Sequence, residues 1–110
     1  MRTQVGIIGA GPAGLMLARL LRMQGISSIV IENRSRDYIE NRVRAGLIEH
    51  WAAELLIKVG AGERLKREGM LHWGINIGIN GDLHRIDFKR LVDKRVTIYG
   101  QQEVVKDLVA

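Results

Sequence analysis

Three glycines stand at positions 9, 11 and 14, in the run Gly9-Ala10-Gly11-Pro12-Ala13-Gly14, directly after the short β-branched segment Gln4 to Ile8. An apolar strand running into such a cluster leaves few folds open. Gly9 permits a tight turn, Gly11 lets the backbone approach a pyrophosphate, and Gly14 lets a helix and a strand pack closely. Glycines alone also serve ordinary turns, so the surroundings decide. Pro12 suits a first helical turn, Leu17, Ala18, Leu20 and Leu21 recur at helical spacing, and Gly25 suits the C′ position that ends the helix near Gln24. Ser28 to Glu32 carries Ile29, Val30 and Ile31 in succession and ends on an acid, which completes a βαβ unit of about 30 residues.

The helix that opens at Pro12 would direct free N–H groups and a positive dipole end at phosphate oxygens. At the end of the second strand, Glu32 would accept hydrogen bonds from an adenosine ribose and repel a 2′-phosphate, which favours FAD or NAD over NADP in this pocket. The plain alternative for Glu32 is a strand-end carboxylate in water.

Beyond Glu32, residues Asn33 to Arg44 are polar, with four arginines and Tyr38, and read as a loop with one short helical turn. Leu47, Ile48, Trp51, Leu55 and Val59 repeat at three- and four-residue steps, which predicts an amphipathic helix ending at Gly60, and a shorter helix over Gly62 to Glu68. Trp73, Ile75, Ile77 and Ile79 alternate with polar residues or glycine, Asn80-Gly81 is a type I′ turn pair, and Ile86 and Phe88 continue the return strand. A further strand is expected over Val96 to Tyr99 and a helix over Gln101 to Ala110. Trp51 and Trp73 are assigned to packing.

Composition narrows the chemistry. None of the 110 residues is cysteine, so disulfides, thiolate ligands and thiol nucleophiles are excluded, and a reducing cytoplasm is the expected location. No stretch approaches the roughly 20 apolar residues of a membrane span, and no signal peptide is read. The net charge of +5 is scattered among acids, so no nucleic-acid surface is expected. His50, His72 and His84 lack metal-ligand spacing, no triad of serine, histidine and acid is present, and no residue is assigned a catalytic part.

The segments MRTQVGIIGAGPAGLMLARLLRMQGI, DYIENRVRAGLIE, RIDFKRL and VTIYGQQEV together resemble the N-terminal portion of the 4-hydroxybenzoate 3-monooxygenase family of class A FAD-dependent aromatic hydroxylases. The RxRAG stretch at Arg42 to Gly46 and the YGQ stretch at Tyr99 to Gln101 narrow the resemblance beyond the glycine motif. It implies an α/β fold in which residues 1–110 form the N-terminal part of an FAD-binding domain: a Rossmann-like βαβ unit with parallel sheet plus a β-hairpin, an incomplete piece of a larger FAD/NAD(P)-binding fold. It also implies that Gly9, Gly11, Pro12, Ala13 and Gly14 surround the pyrophosphate, with Ala13 where a hydroxyl residue is frequent. Glu32 would bind the FAD ribose, and Arg42 and Arg44 would approach the cofactor, Arg44 near its pyrophosphate. Ala45, Gly46 and Leu47 would lie by the flavin ring and Gln101 would hold the ribityl region.

In this family the segment around Asn33 to Tyr38 recognises an external nicotinamide cofactor. Here Asn33 and Arg34 replace a basic residue followed by glutamine while Tyr38 is retained, so NADPH and NADH both stand as reductant. The implied reaction inserts one oxygen atom of dioxygen ortho to the hydroxyl of a phenolic aromatic acid, 4-hydroxybenzoate giving 3,4-dihydroxybenzoate. A homodimer is the candidate assembly of the full-length form. Two other readings stay open: another FAD- or NAD-dependent oxidoreductase of the same fold, and a truncated nucleotide-binding module without turnover. Without the resemblance, Arg42 and Arg44 read equally as a solvated basic loop.

Overall fold

The computed structural model describes residues 1–110. Strand β1 (Val5–Ile8) runs parallel to β2 (Ser28–Ile31), with Ile7 opposite Val30, and helix α1 (Pro12–Met23) crosses between them. The expected cap closes α1: Gly25 has φ +72°, its N–H reaches the Arg22 carbonyl, and the Ile26 N–H reaches the Leu21 carbonyl. A short helix α2 (Arg36–Asn41) follows, capped by the Ser35 hydroxyl, which accepts from the Tyr38 N–H.

Three expectations need correction. Leu47 and Ile48 do not begin the amphipathic helix. They form β3 (Leu47–Ile48), paired antiparallel with β7 (Val96–Ile98), and the helix α3 (His50–Lys58) starts after Glu49. Helical spacing also fitted these residues, but strand pairing claims their backbone groups. After α4 (Glu63–Glu68), an unforeseen strand β4 (Met70–His72) takes the other edge of β7, so an antiparallel sheet in the order β3-β7-β4 stands beside the parallel pair. The hairpin of β5 (Gly74–Ile79) and β6 (Asp82–Asp87) turns at Asn80-Gly81, both at positive φ, as a type I′ turn requires. Its return strand stops one residue before Phe88, because the Asp87 carboxylate caps a new helix α5 (Phe88–Val92) by accepting from the Arg90 N–H.

Helix α6 (Gln101–Val109) completes the chain's core, in which Leu56, Leu65, Tyr99, Val104 and Leu108 pack with Leu15 and Leu20 of α1. The Arg19 guanidinium on α1 donates to the carbonyls of Val59, Asp107, Leu108 and Ala110, tying three helices together.

The core is small for the chain. A compact protein of 12.4 kDa would expose roughly 6,100 Å², whereas this one exposes 7846 Å². Ile8 and Ile31 at the ends of the parallel pair and Ile79 and Leu83 on the hairpin are exposed. Parallel strands normally have both faces covered. Residues 1–110 expressed alone should therefore associate and bind a hydrophobic dye. Sedimentation equilibrium over a range of concentrations checks this, and a dye-free monomer at every concentration would contradict it.

Candidate functional site

The glycine run forms the turn from β1 into α1, and its three glycines meet three different surroundings. Gly9 has φ +105°. A Cβ at Gly14 would fall on the Gly9 carbonyl oxygen and 3.2 Å from Ile7 Cγ2, so only hydrogen allows α1 to approach the strand this closely. A Cβ at Gly11 would meet nothing within 4 Å; it would enter open space at the N-terminus of α1. Gly9 and Gly14 thus shape the turn, while Gly11 borders a cleft.

That cleft, about 350 Å³, brings together Gly11, Pro12, Glu32, Arg34, Tyr38, Arg42, Arg44 and Gln101, residues up to 90 positions apart (101 minus 11). The Glu32 carboxylate holds it in shape: Oε2 accepts from the Ala10 N–H at 2.9 Å and Oε1 from the Arg34 N–H at 2.9 Å. These bonds, Ala10 first, hold the Glu32 carboxyl below the usual carboxylate range. A carboxylate offers about four lone-pair positions, so this one retains acceptor capacity toward the cleft. Sequence reasoning gave Glu32 a ligand role and missed that it ties the glycine turn to the end of β2.

Three arginines, Arg34, Arg42 and Arg44, line the cleft with this single acid. The Arg34 guanidinium lies 5.1 Å from the centre of the Tyr38 ring and that of Arg42 lies 5.8 Å from it. Arg36, in contrast, is paired with Glu40 at 2.8 Å on the surface of α2. The result is a basic cleft beside a helix N-terminus, an arrangement that attracts anions.

A second cavity of about 410 Å³ adjoins the cleft, and Pro12 and Gln101 line both. Its walls are mainly apolar. Ala45, Gly46 and Leu47, expected beside one another, line it; Ala13, expected at the pyrophosphate, lines this cavity and not the charged cleft, and Met16, Trp51, Leu55, Tyr99 and Val104 were not foreseen there. Met16 stands four residues after Pro12 on α1, a spacing that could have revealed it. Trp51 is not packed as expected: its side chain is exposed, with the indole N–H on the Glu49 carboxylate at 2.5 Å. Gly46 is held against β7, where the Tyr99 N–H donates to its carbonyl at 2.9 Å, and a Cβ at 46 would collide with the Tyr99 carbonyl oxygen. The site is therefore a charged cleft continuous with an apolar one, suited to a ligand with an anionic centre and a large planar end.

A family model described as FAD binding domain matches residues 2–110. The p-hydroxybenzoate hydroxylase of Acinetobacter baylyi is 47% identical over 110 residues, which cover 99% of this chain and 27% of that protein. A 3-(3-hydroxy-phenyl)propionate/3-hydroxycinnamic acid hydroxylase of Burkholderia vietnamiensis is 37% identical over 67 residues, 61% of this chain and 12% of that protein. Among solved structures, the anhydrotetracycline hydroxylase OxyS of Streptomyces rimosus superposes with a TM-score of 0.76 at 29% identity, over 99% of this chain and 22% of its own. The Pseudomonas aeruginosa protein pqsL, described as a probable FAD-dependent monooxygenase, superposes at 0.82 with 20% identity, over 97% and 29%, a likeness of fold. The chain thus spans about a quarter of the length of the first relative it matches.

Because its folded pKa is lowered, Glu32 contributes stability above the ordinary glutamate value of about 4.3 and loses it as pH falls through the lowered folded value. Glu32→Gln should lower the urea midpoint at about pH 7, and the gap to wild type should close toward about pH 3. An equal gap at both pH values would show that the charge is not what holds the turn.

Proposed function

The chain belongs to the FAD binding domain family, and on that premise we propose that it forms the cofactor-binding part of an aromatic-ring hydroxylase, residues 1–110 being the N-terminal part of its FAD-binding domain. The observation that carries this reading is the empty space in front of Gly11, at the N-terminus of α1 and at the junction of the basic and apolar cavities. These residues fit an FAD. Gly11 and Ala13 offer backbone N–H groups, Pro12 opens the helix whose dipole faces the pyrophosphate, and Arg44 adds a planar cationic fork. Glu32 takes the adenosine ribose with its remaining lone pairs. The flavin end would lie along Ala45, Gly46 and Leu47, which line the apolar cavity, and Gln101 would hold the ribityl chain between the two cavities.

Bound there, FAD would supply the redox chemistry of oxygen transfer, and the protein's part in these residues is to bind, orient and shield. The external reductant is NADPH or NADH. Arg34 and Arg42, on the Tyr38 ring, offer it a cationic surface, and the Arg36–Glu40 pair leaves Arg34 as the better placed partner for a 2′-phosphate. The substrate we assign is a phenolic aromatic acid, 4-hydroxybenzoate converted with dioxygen to 3,4-dihydroxybenzoate, supported by 47% identity to a p-hydroxybenzoate hydroxylase. None of the 110 residues is given the catalytic steps on that substrate, so turnover is assigned to the full-length form, as a cytoplasmic enzyme with a homodimer as its candidate assembly.

Because a Cβ at Gly11 meets nothing in the protein, Gly11→Val should leave the thermal midpoint unchanged while weakening FAD binding about 100-fold or more, ~2.7 kcal/mol. Titration of the full-length apoprotein with FAD, followed by flavin fluorescence, reads this directly. Wild-type affinity in the folded variant would remove the pyrophosphate from this position.

A further inference from the structure

Tyr99 is buried at 5% exposure, and its hydroxyl donates to Asp107 Oδ2 at 2.6 Å. The other oxygen of that carboxylate accepts from Arg64 Nη1 at 2.7 Å, and Nη2 of the same guanidinium reaches Glu103, which also accepts from Lys106 Nζ at 2.9 Å. Burial first, then the bond to Asp107, pushes the Tyr99 phenol well above its ordinary range and keeps it a donor. Such a hydrogen-bonded cluster between α4 and α6 is strong when every member is satisfied.

Its place in the fold gives it a second consequence. Tyr99 directly follows β7, and Gln101 opens α6 two residues later; Asp107 lies near the far end of that helix. The hydroxyl bond therefore closes a loop of chain between strand and helix and fixes the angle at which they meet. On its backbone side, Tyr99 donates to the Gly46 carbonyl, and its own carbonyl occupies the space where a Cβ at 46 would stand. Gly46 and Gln101, two walls of the apolar cavity, are thus both referred to the Tyr99 backbone. The glycine turn and Glu32 are held by separate bonds.

We propose that Tyr99, held by Asp107 and Arg64, is a positioning residue that sets Gly46 and Gln101 against the flavin half of the dinucleotide while leaving the adenosine half unaffected. This rests on the FAD reading above. It acts through the backbone it fixes, so its removal must separate the two halves of the ligand.

The test compares FAD with ADP, which carries the adenosine half alone, on the full-length apoprotein as wild type, Tyr99→Phe, Asp107→Asn and the double variant. Urea midpoints confirm that each is folded. Tyr99→Phe should weaken FAD by about tenfold, ~1.4 kcal/mol, displace the visible absorption of bound flavin, and leave ADP affinity within about twofold. Asp107→Asn should act in the same direction, and the double variant should be little worse than the stronger single one, because both remove one interaction. Equal weakening of FAD and ADP, or no change in either, would overturn the proposal. A wild type that binds FAD no more tightly than ADP would instead sink the flavin reading, and the proposal with it.

Discussion

No side chain can stand at position 14, because its Cβ would lie on the carbonyl oxygen of Gly9. That close approach sets where α1 begins, and the start of α1 is the point from which both cavities are laid out. The Gly9 N–H reaches the Ile31 carbonyl at 2.7 Å and the Ala10 N–H reaches Glu32, so the turn is bonded to the end of the neighbouring strand on two successive residues. With the turn fixed, the N-terminus of the helix is fixed too, and Gly11, with open space before it and no positive φ to explain it, lies there.

What gathers around that point is divided by chemistry. Arg34, Arg42 and Arg44 come from the stretch after β2 and line one cleft with the Glu32 carboxylate. The apolar cavity is walled by α1, β3, α3 and the start of α6. Pro12 and Gln101 belong to both, so a ligand crossing from one to the other passes between the first residue of α1 and the first residue of α6. Two helix beginnings lining one cleft suit a molecule with phosphates at its middle.

The part of this written in local sequence was legible. Gly9 and Gly14, the cap at Gly25 and the Asn80-Gly81 turn each carry a short-range signal with its own physical cause, and each lies where that cause puts it; Gly11 and Glu32 stand at the helix start and the strand end that their spacing predicted. The miss at Leu47 and Ile48 has a clear origin: two apolar residues just before a helix fit its spacing as well as they fit a strand, and the partner that decides, β7, comes some 50 residues later (98 minus 47 is 51). Asp87 as a helix cap was readable from its own position and was passed over in favour of the alternation that precedes it. Arg64, Asp107 and Tyr99 carry no local pattern at all. Their meeting depends on how α4 and α6 pack, and only the folded chain brings them together.

The central claim is that one dinucleotide lies across both cavities, passing Pro12 and Gln101. Amide hydrogen exchange on the full-length protein, with and without FAD, tests it most directly. The account predicts slowed exchange in three separate stretches at once, the glycine turn from Gly9 to Gly14, the segment Ala45 to Leu47, and Tyr99 to Gln102, with the hairpin from Gly74 to Asp87 unchanged. Protection confined to the glycine turn, with the other two stretches exchanging as in the apoprotein, would contradict it.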